Sequence, residues 1–477
     1  MKFENKFLWG GATAANQIEG GFLEGESGDS ISDHLTQGSK TKVRKFTKTI
    51  DSNEYYPSHK GIDFYHDFPE DIKLLGKLGI RAFRLSIKWS RIFPNGDESE
   101  PNKKGLQYYD RIFDELHKYN IAPVVTLSHF DMPINLVSKY NGFANRIVVD
   151  LFVRYASTVI KYFKDKVKYW ITFNEINFAC LPTGNLEVLG VYNNATTDYT
   201  NPIDNQSLRY QALHNVFIAS ALTVKYAHSL NLGIMVGCMI SHVTLYPLTS
   251  HPTDQTKTQE EDALFNNFCG DVQVKGEYPF YIKKYFDDNN IKISIFNRDK
   301  QILKEGTVDY YTFSYYMSNC VSHSKNNETT AGNLLGGVKN PYLKMSDWGW
   351  QIDPEGLYYT LFKIYDRYHL PIMISENGFG AQDVIKNGVI HDQYRIEYLK
   401  KHIYWMKKAI NQGINVFSYM VWSPFDIVSS STGEMDKRYG LIYTDMNSKG
   451  EGSLARIPKD SFYWYQSEIK KGLTSSL

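Results

Sequence analysis

Eight short apolar or β-branched segments recur along the chain, and longer segments with apolar residues at helical spacing separate most of them. The predicted strands are residues 7–9, 82–86, 122–127, 169–173, 234–238, 310–313, 372–375 and 416–421. The predicted helices are residues 69–78, 105–119, 146–163, 208–230, 354–368 and 393–412. Alternating strands and helices indicate a parallel sheet, and eight such strands closing on themselves form a (β/α)8 TIM barrel. We therefore predict an α/β fold of this class.

The length of 477 residues is enough for about three domains at ~150 residues each, but α/β barrels are larger single domains. No linker-like or low-complexity segment divides the sequence. We therefore predict a single catalytic (β/α)8 barrel domain over residues 1–477.

Charge and hydropathy exclude several classes of partner. The 53 Lys and Arg nearly balance the 52 Asp and Glu, so no global field attracts nucleic acid. No run of about 18 apolar residues predicts a membrane span, and no segment resembles a signal peptide. The four cysteines are widely spaced, and no nucleotide or metal motif is present. We expect no nucleic-acid or membrane partner, no cofactor, no metal and a cytoplasmic location.

Polar and aromatic side chains stand in or just after seven of the eight predicted strands. In chain order they are Gln17, Glu19, Arg84, His129, Asp131, Asn174, Glu175, Tyr315, Tyr316, Glu376, Asn377 and Trp422. Barrels of this class carry their active sites at the carboxyl ends of the strands. We therefore predict one shared site at that mouth.

Two glutamates, Glu175 and Glu376, follow predicted strands four and seven, and an Asn adjoins each of them. A glycosidase needs two carboxyl groups flanking the bond it cleaves, one protonated and one ionised. Strands four and seven face each other across a barrel, so this pair is suited to that chemistry. The alternative is that both glutamates only form salt bridges or cap helices. Similarly, His129 and Trp422 could be buried packing residues.

Six motifs in order along the chain resemble the retaining β-glycosidases known as family 1 glycoside hydrolases. They are NQIEG at 16–20, FRLSI with the following Trp and RIFP at 83–94, SHFDMP at 128–133, TFNE at 172–175, ISENG at 374–378 and RYGL at 438–441. The resemblance implies that Glu175 is the general acid/base and Glu376 the nucleophile. It also implies a set of binding residues: Gln17, His129 and Asn174 for the sugar hydroxyls, Arg84 and Tyr316 for the nucleophile, and Trp422 as the floor.

The segment 422–440 resembles the branch of this family that acts on 6-phospho-β-glycosides. Ordinary β-glucosidases of the family carry Glu where Ser429 stands, and a carboxylate there would repel a phosphate with about two negative charges. Ser429 removes that repulsion and Lys437 supplies a cation. By resemblance, Ser429, Lys437 and Tyr439 form the phosphate pocket. Alternatively, Lys437 belongs to a solvated basic pair in a loop.

Two further features favour glucose as the sugar. The segment 346–354, which contains Trp348, resembles the phosphoglucosidase branch. Ser430 is small where phosphogalactosidases carry Trp. The resemblance thus implies a retaining 6-phospho-β-glucosidase acting on phosphorylated cellobiose or aryl β-glucosides. The alternatives are a 6-phospho-β-galactosidase, an unphosphorylated β-glucosidase, a non-catalytic sugar-binding barrel and a metal-dependent hydrolase.

Three positions depart from the usual pattern of the family. Ile176 stands where most members have Pro, Phe130 where Trp is common, and Ser314 where Asn precedes the tyrosine pair. We assign no role to Ser314. A basic stretch after strand one is expected to be an exposed loop too distant to influence the site. It comprises Lys40, Lys42, Arg44, Lys45 and Lys48.

Overall fold

The computed structural model describes residues 7–192, 197–198, 200–330 and 336–473. Eight parallel strands form a closed barrel. They are β1 (Leu8–Ala12), β2 (Ala82–Ser86), β3 (Ala122–Ser128), β4 (Tyr169–Phe173), β5 (Met235–Pro247), β6 (Tyr310–Val321), β7 (Ile372–Asn377) and β8 (Val416–Trp422). Each strand pairs with its neighbours in chain order, and β1 pairs with β8 to close the ring. The predicted (β/α)8 barrel is therefore confirmed.

The longer helices surround the barrel, and most of them bury apolar side chains, whereas Pro252–Asp262 buries Asp254, Thr258 and Asp262. The longer helices are Phe64–Leu78, Lys103–Lys118, Ile147–Phe163, Gln206–Ser229, Pro252–Asp262, Phe268–Lys275, Phe280–Asp288, Asn297–Glu305, Pro354–Tyr368, Gln393–Asn411 and Asp460–Lys471. Pro354–Tyr368 shows how the sequence sets a helix start. Pro354 occupies the first turn, where its missing N–H costs nothing, and the Asp353 side chain accepts from the Gly356 N–H.

The observed strands differ from the predicted ones mainly in length. β1 continues through Gly10 and Gly11, which are weak strand signals in a sequence. A Cβ on Gly10 would lie 2.5 Å from the Ala82 carbonyl oxygen, so close strand packing requires glycine there. β5 and β6 extend well beyond the predicted 234–238 and 310–313, because the two strands continue to pair with each other to Pro247 and Val321.

The sequence did not predict the four α-helices between β5 and β6, from Pro252 to Glu305, or the π-helical turn Ala263–Asn267 among them. The terminal helix Asp460–Lys471 was not predicted either. In the described part of the chain, no helix is both long and apolar enough to cross a bilayer.

Candidate active site

The carboxyl ends of the barrel strands surround one cavity, and most of the predicted site residues line it. These lining residues are Gln17, His129, Asn174, Glu175, Tyr316, Glu376, Trp422, Ser430 and Tyr439. Arg84 lies buried beneath the cavity and reaches Glu376 from β2. Trp348, Ser429 and Lys437 are buried beside the Tyr439 side of the cavity, where Lys437 contacts Trp348 and Tyr439. The structure thus brings these residues together at the barrel mouth, whereas four others predicted for the shared site do not line the cavity: Glu19, Asp131, Tyr315 and Asn377.

Glu376 is buried and held by two donors. Arg84 Nη1 lies 2.5 Å from Oε1, and the Tyr316 hydroxyl donates to Oε2 at 2.5 Å. Burial raises the pKa of Glu376, while the Arg84 charge and the Tyr316 hydrogen bond act in the opposite direction. The two oxygens are therefore fixed in orientation, and a cation favours their ionised form.

The Arg84 guanidinium also ties Glu376 to neighbouring strands. Its Nη2 donates to Asn174 Oδ1 at 2.6 Å, and its Nε donates to Thr126 Oγ1 at 3.0 Å. Arg84 is fully buried, so its donors are satisfied by these side chains rather than by solvent. Residues of β2, β3, β6 and β7, together with Asn174 directly after β4, thereby share one hydrogen-bond network around Glu376.

Glu175 has a different environment. Its backbone adopts the left-handed region with φ 41° directly after β4, a conformation that is costly for a residue with a side chain. Burial and the nearby charge of Glu376 raise its pKa to about 8. The Ser314 hydroxyl donates to Glu175 Oε1. Ser314, to which we assign no role from the sequence, therefore contacts a carboxyl group of the site directly.

The two carboxyl groups thus differ in the way that acid and nucleophile pairs differ. One is held by a guanidinium and a phenol, and the other has its pKa raised to about 8 without a hydrogen-bonded cation among the described residues. An acid that stays protonated near neutral pH beside an oriented carboxylate is suited to cleavage of a glycosidic bond.

Gln17, His129 and Trp422 form another wall of the cavity. The Gln17 amide donates to the Val428 carbonyl at 2.6 Å, which joins the β1 loop to the segment after β8. The rings of His129 and Trp422 stack with centroids 6.0 Å apart. Burial and the Arg84 charge hold the pKa of His129 well below its usual range, so the imidazole is neutral. Its Nδ1 has no hydrogen-bond partner within the described residues.

A buried lysine lies beside the cavity. Lys437 Nζ is 4.2 Å from the centroid of the Trp350 ring, 5.5 Å from Tyr439 and 5.8 Å from Trp348. It has no hydrogen-bond partner among the residues that the structure describes. Burial lowers the pKa of Lys437 to about 7. An ammonium group buried without an acceptor is costly, and an anionic ligand would relieve that cost.

Ser429 and Tyr439 adjoin this lysine. Both are buried, and the Ser429 hydroxyl has no hydrogen-bond partner among the described residues. The chain turns tightly after Ser429, whose carbonyl accepts from the Gly433 N–H at 2.7 Å. The three residues predicted to form a phosphate pocket therefore share one buried region.

A charged cluster under this region fixes its backbone. The Arg395 guanidinium donates to the carbonyls of Arg438 and Tyr439 at 3.2 and 3.1 Å. Asp426 accepts from the Gly440 N–H at 2.8 Å and is paired with Lys459 at 2.7 Å. Because these contacts are buried, they fix the position of the loop segment that carries Lys437 and Tyr439.

The basic stretch after β1 is only partly the exposed loop that we expect. Arg44 is buried, and its guanidinium donates to the carbonyls of Ser430 and Leu35 at 2.6 and 3.0 Å. Lys40 is exposed, but its Nζ lies 5.9 Å from the Trp348 ring centroid. The expectation of an exposed loop is therefore wrong for Arg44, because the backbone carbonyls of Ser430 and Leu35 accept hydrogen bonds from its buried guanidinium.

Sequence reasoning missed several residues of the cavity. Trp350 contacts Lys437 and lies two residues after Trp348 in the segment 346–354, whose resemblance to the phosphoglucosidase branch is the sequence signal that indicates it. Phe178, Glu187 and His242 also line the cavity. They lie on short helical turns after β4 or on the extension of β5, outside every motif, and no sequence signal indicated them.

Comparisons with known proteins agree with this geometry. The family model described as Glycosyl hydrolase family 1 matches residues 1–473. The chain is 48% identical to the aryl-phospho-beta-D-glucosidase BglA of Bacillus subtilis (strain 168), with 97% of each chain covered. It is 46% identical to a 6-phospho-beta-glucosidase of Clostridium longisporum, over 98% of this chain and 97% of the relative.

Solved structures show the same likeness. The family 1 β-glucosidase from Thermotoga maritima superposes with a TM-score of 0.83 at 30% sequence identity, and 99% of each chain is covered. The family match spans nearly the whole chain and includes both glutamates at the barrel mouth. The chain therefore belongs to glycosyl hydrolase family 1.

Proposed function

We propose that this chain is a retaining 6-phospho-β-glucosidase that acts as a single catalytic domain and releases glucose 6-phosphate from 6-phospho-β-glucosides. The observation that carries the proposal is the buried ammonium group of Lys437, which lacks a hydrogen-bond partner within the described residues and adjoins a cavity containing two glutamates. The paired glutamates account for bond cleavage, and the unpaired lysine accounts for a phosphorylated substrate.

In the first step, the Glu376 carboxylate attacks the anomeric carbon. The bond between that carbon and the leaving oxygen breaks, and Glu175 donates its proton to the oxygen. Arg84 and Tyr316 orient the attacking carboxylate, and the pKa of about 8 keeps Glu175 protonated at neutral pH. The result is a glycosyl ester on Glu376 and a free aglycone.

In the second step, water replaces the ester. Glu175, now ionised, accepts a proton from the water as its oxygen attacks the anomeric carbon, and the bond to Glu376 breaks. Two displacements at the same carbon return the original β configuration. Gln17, His129 and Asn174 face the cavity as hydrogen-bonding partners for sugar hydroxyls, and Trp422 provides an apolar surface for the ring.

The phosphate would be bound by Lys437, Ser429 and Tyr439. A phosphate dianion next to Lys437 restores the charge balance that burial of the ammonium group disturbs. The hydroxyls of Ser429 and Tyr439 add donors without adding a negative charge. Trp348 and Trp350 exclude water from the ammonium group and contact it through their rings.

The relatives' names agree with this substrate class, since they name an aryl-phospho-beta-D-glucosidase and a 6-phospho-beta-glucosidase. The small Ser430 side chain at the cavity favours glucose over galactose. Because phosphorylated disaccharides do not cross membranes, this substrate class also favours a cytoplasmic enzyme.

The proposal is tested by hydrolysis of nitrophenyl β-glucoside with and without a 6-phosphate, and of nitrophenyl 6-phospho-β-galactoside. Several hydrogen bonds to a charged group predict that kcat/KM is at least about 100-fold higher for the phosphorylated glucoside than for the plain one. Equal rates on the two glucosides would indicate an ordinary β-glucosidase. Binding of glucose 6-phosphate without hydrolysis of any substrate would indicate a sugar-binding barrel.

A further inference from the structure

Strand β6 places two successive inward-facing residues beside the two glutamates of the site. Ser314 donates to Glu175, and Tyr316, two residues further on, donates to Glu376. Tyr315 between them is buried on the other face, where its hydroxyl donates to the Asp353 carbonyl at 2.7 Å. The alternation of a strand thus gives each carboxyl group its own hydroxyl donor.

An irregularity in the sheet sets the position of Ser314. Phe313 pairs with Ile374, but Ser314 pairs with Glu376, so Ser375 is an extra residue on β7. Such a bulge changes the direction of the side chains that follow it. On its other side, Ser314 pairs with Ser241 of β5. Ser314 therefore lies next to Glu376 in the sheet while its hydroxyl reaches Glu175.

The Ser314 hydroxyl is buried, so its hydrogen needs an acceptor within the protein. Within the described residues, Glu175 Oε1 is its only hydrogen-bond partner. Ser241 also lies close enough to Glu175 to influence the carboxyl group, although more weakly. If Oε1 carried the acid proton and donated to Ser314, the serine hydrogen would lose its acceptor, at the cost of an unsatisfied buried donor.

We propose that Ser314 is a positioning residue that donates to Oε1 of Glu175 and thereby keeps the acid proton on Oε2. This inference rests on the proposed function, because it concerns the proton that Glu175 delivers to the leaving oxygen. With Oε1 occupied, protonation is confined to the oxygen that is free to face the glycosidic bond. The same hydrogen bond stabilises the ionised carboxylate that serves as base in the second step.

The test compares three variants at positions on β6. Ser314→Ala removes the hydroxyl, and Ser314→Thr retains it on a side chain that strands accommodate well. Ser318→Ala is the matched control, because Ser318 is equally buried on the same strand but has no hydrogen-bond contact with either glutamate in the described structure. All three are assayed from pH 5 to pH 10 on dinitrophenyl β-glucoside 6-phosphate and on cellobiose 6-phosphate.

Ser314→Ala is expected to lower kcat/KM about tenfold on cellobiose 6-phosphate, whose leaving group needs a proton, and less than about twofold on the dinitrophenyl substrate. The alkaline limb of kcat on cellobiose 6-phosphate should move about one pH unit higher, because the ionised form of Glu175 loses a donor. Ser314→Thr should have the native kcat/KM on cellobiose 6-phosphate and the native alkaline limb, and Ser318→Ala should behave as the native chain. Equal losses on both substrates with an unmoved alkaline limb would overturn the proposal.

A titration that needs no turnover separates this inference from the proposed function. The carboxyl carbon of Glu175 is followed by NMR in 13C-glutamate-labelled protein and assigned by its loss in Glu175→Gln. A higher pKa in Ser314→Ala than in the native chain and Ser318→Ala supports the proposal even if no phosphoglucoside is hydrolysed. The same pKa in all three proteins contradicts it even if the native chain is a fully active hydrolase.

Discussion

Arg84 and Glu376 form a buried ion pair at the bottom of the barrel mouth, with Nη1 and Oε1 2.5 Å apart. Neither side chain has meaningful contact with solvent, so loss of one partner would leave the other charge uncompensated. Glu175 lacks such a hydrogen-bonded cation within the described residues, and its pKa is raised to about 8. The two carboxyl groups should therefore respond differently to substitution and to pH.

The two glutamates should respond differently to conversion to glutamine. Glu376→Gln should lower kcat by at least about 1000-fold on every substrate, because no nucleophile remains. Glu175→Gln should retain most of the first step on dinitrophenyl substrates, whose leaving group needs no proton, but lose about 100-fold or more on cellobiose 6-phosphate. Steady-state and burst kinetics on both substrates provide the measurement. Equal losses across leaving groups in Glu175→Gln would contradict the assignment.

The pH dependence should show the acid role of Glu175. A general acid works in its protonated form, so kcat on cellobiose 6-phosphate should fall as pH rises through the pKa of Glu175 near 8. The acid limb should reflect protonation of Glu376, which attacks in its ionised form. On dinitrophenyl β-glucoside 6-phosphate, kcat for the first step should lack the alkaline limb. An alkaline limb of the same size on both substrates would indicate that another group titrates.

Binding of the phosphate should be linked to uptake of a proton by Lys437. With a pKa of about 7, Lys437 is mostly neutral at pH 8, and a bound phosphate dianion would favour its charged form. Glucose 6-phosphate should therefore bind with uptake of about one proton at pH 8, and with less as pH falls below 7. Calorimetry in buffers of different ionisation enthalpy measures this in a Glu175→Gln background, which removes the other group with a pKa near 8.

The control for this linkage is Lys437→Met, which preserves volume and the contact with Trp350. It should abolish most of the proton uptake, and glucose without phosphate should show none in either protein. Uptake that is unchanged in Lys437→Met would assign the titrating group elsewhere and remove Lys437 from the phosphate site.

Ser430 should determine the preference between sugars. Its side chain lines the cavity and its carbonyl is held by Arg44 at 2.6 Å, so the backbone there is fixed and the side chain alone changes on substitution. Ser430→Trp should lower kcat/KM on 6-phospho-β-glucosides about tenfold relative to 6-phospho-β-galactosides, because an indole occupies space near the equatorial O4. The measurement is the ratio of kcat/KM on nitrophenyl 6-phospho-β-glucoside to that on nitrophenyl 6-phospho-β-galactoside. An unchanged ratio would remove Ser430 from the sugar preference and leave only the phosphate assignment intact.

The fold could be predicted because its repeating pattern is local. Each barrel strand contains a short run of mainly apolar or aromatic residues, and the helix Pro354–Tyr368 was predicted at its observed bounds because Pro354 and Asp353 mark its start. β5 was predicted too short, since its carboxyl half carries polar residues and pairs with β6 beyond the barrel core. Periodicity alone does not reveal such long-range pairing.

The site was predictable where chemistry lies in a contiguous motif and not where it depends on distant contacts. Glu175 and Glu376 stand in short motifs at strand ends, and the structure places them in one cavity. Ser314 reaches Glu175 only because of a bulge between β6 and β7. Arg44 reaches Ser430 across 386 positions of sequence, and no local pattern indicates a contact of that kind.

The central claim is that the buried lysine beside the two glutamates binds a phosphate on the sugar. Its most direct test is the ratio of kcat/KM for nitrophenyl β-glucoside 6-phosphate to that for nitrophenyl β-glucoside, measured in the native chain and in Lys437→Met. We expect the native ratio to exceed about 100. In Lys437→Met the ratio should fall at least tenfold because kcat/KM decreases on the phosphorylated substrate alone, since a hydrogen bond to a charged group contributes about 1.5–3 kcal/mol. A parallel loss on both substrates, with the ratio unchanged, would contradict the claim and show that Lys437 only supports the fold.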